Sequence, residues 1–321
     1  MSDALARALR WGKNQFSLDP QPEQDLLSPE TAGDMALGMI PGVGQAMALR
    51  DMERARRADD PVAGGLAATG LIPFGKLAGA LRKSEVIAGK AARHAPLDEI
   101  AAGEGMLKRG ESPTKVWQEM GTYRGTENHA PMKWEIPDQK ARLKKDAPGW
   151  VGGGEDWAYQ GKLGELLHHP ELFRNYPELA DYNVLGHRSP NATGEGGFWK
   201  REREIDATGK NSRELLSTLL HEVQHGIQNL EGFDSGASYS ATKKALQDRY
   251  GTTIPASDLD KMSFRTYQRN MGEAEARAVE TRRGNPKSVN ELLRPTMSYD
   301  VSIASLIPED QMPYYVKRLR P

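Results

Sequence analysis

The stretch that most restricts how this chain can fold is LLSTLLHEVQHGIQNLEGF, Leu215 to Phe233. Leu216, Leu219, Leu220, Val223, Ile227 and Leu230 recur at steps of three and four, the period of a helix buried along one side. His221 and His225 stand four apart on it, so about one helical turn stacks both imidazoles on a common face. Two neutral ring nitrogens placed in this way can share one Zn²⁺ at roughly 2.0–2.1 Å. Glu222, beside the first histidine, stands where a carboxylate could take a proton from a metal-bound water. The bland alternative is a pair of packed or surface histidines at helical spacing. Zinc is the favoured reading.

Composition narrows the ligand chemistry. The 321 residues include no cysteine, which excludes disulfides and thiolate ligands and leaves His, Asp and Glu for any metal. A net charge of −1 supplies no basic field, so no nucleic-acid partner is expected. The first twenty residues lack the apolar core of a secretory signal, and synthesis into the cytosol without export is the expectation.

Along the chain, residues 1–30 read as a short helix and a Pro/Gln/Asp-rich tether, an N-terminal arm. Residues 31–82 read as a glycine-rich apolar helical hairpin. GMIPGVGQA from Gly38 and GLIPFGKLA from Gly70 repeat one signature thirty-two residues apart, as an internal duplication would. Pro41 and Pro73 interrupt each apolar run, which argues against a stable transmembrane helix. Small residues four apart still permit close helix contact. A soluble hairpin and a hairpin that makes transient membrane contact both fit.

Residues 83–110 read as a linker. From residue 111 to the end, short strands alternate with helices, the grammar of an α+β domain. Ser112-Pro113 should start a helix that ends at Gly121, and Met132 to Ile136 should form a strand. Asp146 to Gly161 is rich in glycine and reads as a loop, as does Thr252 to Asp260. Asn211 or Ser212 should cap the HExxH helix, and Met271 to Arg283 should form a further helix.

A catalytic zinc takes three protein ligands and keeps a position for water. No histidine follows His225, so the third ligand should be a carboxylate from a later helix. Glu273 and Glu275 in GEAEAR are the candidates, because Ala274, Ala276 and Ala278 allow close approach. They lie about 200° apart around a helix and cannot both face the metal. Glu273 is preferred and Glu275 held in reserve, while Glu231 is expected to position a loop. His129, His168, His169 and His187 read as caps or surface groups. An oxyanion would need a donor besides zinc; Tyr267 is the first choice for that catalytic role and Tyr239 the second.

TLLHEVQHGIQNLEGFDSG followed by YQRNMGEAEARAVETR resembles the zinc-metallopeptidase-like domain of bacteriophage large polyvalent and virion-associated proteins. VWQEMGTYRG, KWEIPDQKARL, GELLHHPELFRNYPELADYNV and PTMSYDV agree with it in order, so the resemblance spans roughly Glu111 to Val301. It implies a zincin-like domain over 111–321, with a small twisted sheet and one Zn²⁺ per chain held by His221, His225 and Glu273. Glu222 is then the base, and a protein or peptide is the substrate. It also implies that the strand ending at Ile205-Asp206 is the edge strand that aligns substrate. Arg277 departs from the pattern, since several glutamate-zincins place an acidic or amide residue there to buttress a histidine.

Three functions compete: a phage-encoded metallopeptidase, a non-catalytic virion or ejection component partnered with phage structural proteins, and a toxin-like effector. Virion packaging fits each of them.

Overall fold

The computed structural model describes residues 85–126, 130–138, 140–192, 194–284 and 293–318. The N-terminal arm and the hairpin over 31–82 lie outside the described residues.

The chain first builds a small antiparallel sheet. Strand β1 (Glu85–Ala88) is followed by helices α1 (Leu97–Lys108) and α2 (Pro113–Met120), then strands β2 (Thr122–Arg124) and β3 (Met132–Pro137), in the order β1-β3-β2. The start and stop of α2 are written in its ends. The Ser112 hydroxyl accepts from the Lys115 amide, and Gly121 takes the left-handed conformation (φ 64°) that glycine adopts without a Cβ penalty. Residues 83–110 are therefore not a linker from Glu85 onward. Val86, Ile87 and Ala88 are wholly buried, and Ile100 and Met106 pack with Val116 and Met132 in a satellite core. The alanines and glycines that read as linker let α1 sit close; a Cβ on Gly103 would strike Thr122 and Met132.

Strands β4 (Arg142–Leu143), β5 (Trp150–Gly153) and β6 (Asp156–Lys162) follow, then α3 (Leu163–Leu166), β7 (Leu167–His168) and α4 (Pro170–Asn175). Strands β8 (Asn183–Arg188), β9 (Gly196–Trp199) and β10 (Glu204–Gly209) complete a five-stranded sheet, ordered β5-β6-β8-β10-β9. Only the β8–β10 pair is parallel. Two expectations are corrected here. The glycine-rich stretch 146–161 is a tight hairpin, with Gly152 and Gly154 at positive φ and Trp150 set edge-on against Trp157 and Tyr159. The strand ending at Ile205-Asp206 is interior, paired on both sides, and β9 is the edge.

Helix α5 (Ser212–Glu231) carries HExxH and lies across this sheet. Asn211 caps it by accepting from the Arg213 and Glu214 amides, and Gly232 (φ 70°) closes it. Its apolar side, Leu215, Leu216, Leu219, Leu220, Val223 and Ile227, joins Val184, Ile205 and Ala207 from the large sheet and Val86 and Ile87 from the small one in a single core. Helices α6 (Tyr239–Tyr250), α7 (Ala256–Gln268) and α8 (Met271–Gly284) follow, then a short C-terminal α9 (Met312–Arg318). Thr252–Asp260 is thus only half a loop, because α7 starts right after Pro255. No helix among the described residues is long and apolar enough to cross a membrane. The fold is mixed α+β.

Buried polar groups join the small sheet to the two long helices. The Lys133 ammonium of β3 meets Glu275 of α8, both almost fully buried. Glu275 also accepts from Gln224 and Gln228 of α5. Gln224 in turn exchanges two hydrogen bonds with the Ile87 backbone of β1. At the end of α5 the Glu231 carboxylate accepts from the backbone amides of Gly89, Ala91 and Ala92 and from the Tyr176 hydroxyl.

Removing one partner of a buried ion pair strands the other charge, which costs about 3–5 kcal/mol. Lys133→Met should lose roughly that much stability in urea denaturation, and adding Glu275→Gln should recover part of it. A loss within error of zero for the single variant would mean that the pair does not hold the layers together.

Candidate metal centre

The centre forms where α5 crosses α8. The i, i+4 spacing puts His221 and His225 on one side of α5, with ring centroids 4.9 Å apart. On α8, Ala274, Ala276 and Ala278 are wholly buried, and Glu273 reaches both rings. Its Oε2 lies 3.5 Å from His221 Nε2, and its Oε1 lies 3.5 Å from His225 Nε2. Ligand atoms of His221, His225 and Glu273 all fall within 4.8 Å of one another, a group that could hold a metal ion.

Local chemistry fixes Glu273. Its backbone amide donates to Asn270 Oδ1, and its Oε2 accepts from the Tyr267 hydroxyl at 2.6 Å. Tyr267 thus reaches the site, but with its proton given to the carboxylate rather than pointing free. Tyr239 stands one ring further out, stacked edge-on against Tyr267 at 5.9 Å, and does not touch the ligands. Glu275 is turned to the other side of α8, into the buried contact with Lys133. Glu222 is buried on α5 beside the edge strand; a Cβ on Gly196 of β9 would lie 2.5 Å from its Oε1.

Charge is unevenly distributed around this point. Burial opposes a charged His221, but the Glu273 and Glu280 carboxylates outweigh it and raise its pKa to about 10. Burial also opposes ionisation of Glu273, and the two histidines with Tyr267 overcome it, holding this carboxylate at about 2. His225 is pushed down by burial. Glu222 is pushed up to about 8, first by burial and then by the carboxylates around it. Two carboxyl groups of one site are therefore driven in opposite directions, Glu273 towards the ionised form and Glu222 towards the neutral one.

Three further histidines among the described residues lie in other elements or pairs. His169 is buried against Asp138 at 2.6 Å, and His187 meets Asp156 at 2.7 Å near the surface. His168 sits in β7, and His129 lies outside the described residues. Glu231 holds a loop, as its hydrogen bonds to residues 89–92 show.

One residue escaped the sequence reading altogether. Gly236, in the loop after α5, has no room for a side chain: a Cβ would lie 2.3 Å from His225 Cε1 and 2.4 Å from Glu273 Oε1. The only hint was a glycine three residues beyond the EGF that closes the helix, within FDSG. Gly272 is similarly held, against the backbone of Asp234 and Ser235, so the loop seats on the start of α8.

Among protein families, residues 85–144 match the model of large polyvalent protein associated domain 23. That segment runs from β1 to β4 and ends before HExxH, so the metal centre lies outside it. No curated protein and no solved structure matches the chain.

Overpacking a filled site costs about 1–3 kcal/mol. Gly236→Ala should lower the stability of chelator-treated protein by that order in urea denaturation, and should shift the imidazole resonances of His225. An unchanged His225 spectrum would show that the loop has room to spare.

Proposed function

We propose that the chain is a zinc-dependent peptidase in which His221, His225 and Glu273 hold one Zn²⁺ and Glu222 is the general base. The observation that carries this reading is the convergence of two imidazole Nε2 atoms and one carboxylate at a single point beside a buried glutamate. The donor set suits the ion: three nitrogen and oxygen ligands without thiolate leave a fourth tetrahedral position for water. Access remains, since the His221 side chain is 11% exposed.

Bound there, zinc would polarise a substrate carbonyl and acidify a water molecule. The protein's own groups do the rest. A general base works best with a pKa near the working pH, because it must both accept a proton and give it up. Burial holds the Glu222 carboxyl above the usual carboxylate range, and a cation beside it would favour the ionised, proton-accepting form. Its carboxyl can take the proton from water and hand it to the departing amine. Glycine at position 196 lets the edge strand lie directly against this carboxyl, so an extended peptide paired with β9 would pass within reach of it. Tyr267 anchors Glu273 and keeps the third ligand in place. The matched domain links the chain to large polyvalent proteins, and phage origin follows as part of this proposal.

Metal analysis of protein purified without chelator should find one zinc per chain, lost in His221→Ala and Glu273→Ala and kept in Glu275→Gln. Glu222→Gln should retain the metal while peptide hydrolysis falls by about 10²–10⁴-fold, the usual worth of a general base. Wild-type protein free of zinc would sink the reading.

A further inference from the structure

Each metal-facing imidazole has a second nitrogen, and in both rings an oxygen holds it. His225 Nδ1 lies 2.8 Å from Gln228 Oε1. The orientation of that amide is fixed by its other end: Gln228 Nε2 donates to the Gly272 carbonyl at 2.9 Å and to Glu275 Oε1 at 3.2 Å. Both of those partners only accept, so the amide oxygen must face His225, and the proton of the neutral ring must sit on Nδ1. His221 Nδ1 lies 3.5 Å from Glu280 Oε1, a carboxylate that can only accept. The Nε2 atoms of both rings face Glu273.

Glu280 follows Glu273 by seven residues on α8, about two turns, and so shares its face. Position 277, one turn after Glu273, is used differently. Arg277 donates to both oxygens of Asp300 and to the Gln268 carbonyl, tying the PTMSYD segment to α8.

We infer that Glu280 and Gln228 are the positioning residues of the metal centre, Glu280 fixing the ring direction of His221 and Gln228 fixing both ring direction and tautomer of His225. This rests on the zinc reading above. Acceptors on the far nitrogen of a metal-binding histidine orient it and raise its basicity, and their loss typically weakens metal binding 10–100-fold. The two differ in setting. Gln228 is wholly buried and continues through Glu275 to Lys133 of the small sheet, so its ring is locked by the core. Glu280 stands at the rim with its side chain 38% exposed, so it can be replaced without opening a cavity.

That exposure makes Glu280 the test. Zinc affinity, measured by competition with a chromogenic chelator, should fall about 10–100-fold in Glu280→Met and recover most of the way in Glu280→Gln, whose amide oxygen can still accept. Melting of the chelator-treated protein should shift alike in both, since each removes the Glu280 charge from beside His221. Glu280→Met binding zinc as tightly as wild type would overturn the inference, as would equal losses of zinc affinity in the two variants. These failures differ from failure of the peptidase reading, in which wild type itself binds no zinc.

Discussion

A helix that buries polar side chains must find every one of them a partner, and α5 buries Glu222, Gln224, His225 and Gln228 along with its leucines. Much of the architecture answers that demand. Gln224 is satisfied by the backbone of β1 and by Glu275, Gln228 by Gly272 and Glu275, and Glu275 by Lys133. An apolar stripe alone would let α5 rotate or slide against its neighbours. The amide and carboxylate contacts admit one register, and that register sets the histidines opposite Glu273. A second ion pair, Arg282 of α8 with Glu135 of β3, fixes the same layers two turns further on.

The segment 85–144 takes its meaning from this arrangement. Its strands β1 and β3 supply Ile87, Lys133 and Glu135 to the underside of α5 and α8. Its core is not closed by its own residues, for Val86, Ile87 and Ile136 belong to the same cluster as Leu219 and Val223 of α5. The matched family segment is in physical terms one wall of a larger unit.

Signals that act over a few residues are legible in this sequence. HExxH on an amphipathic run, an Asn before it, Ser-Pro before α2 and a glycine after each helix all act within a few residues, and the structure places those elements where the signals put them. Contacts between distant residues were harder to see. Glu85–Ala88 is a four-residue strand, and nothing near it in sequence shows that β3 will pair with it. The choice of edge strand failed for a similar reason: β9 is short and glycine-rich, and only its pairing with β10 reveals it as a strand. Lys133 and Glu275 look like surface charges on any pattern of hydrophobicity. Their burial follows from each other, 142 residues apart. Glu273 and Glu275 could not be separated by periodicity, and the partner of each, rather than its own spacing, decides which way it faces.

The anchor at the end of α5 works by a different rule. Glu231 grips residues 89–92 through main-chain amides, which every residue except proline offers. Lys90 and Ala91 are exposed, so their identities are free to drift while the grip persists. Gly89 is the exception, because a Cβ there would collide with Glu231 and Phe233. At this one anchor, side-chain identity at positions 90 and 91 counts for little, whereas the ion pair and the shared core beside it depend on theirs.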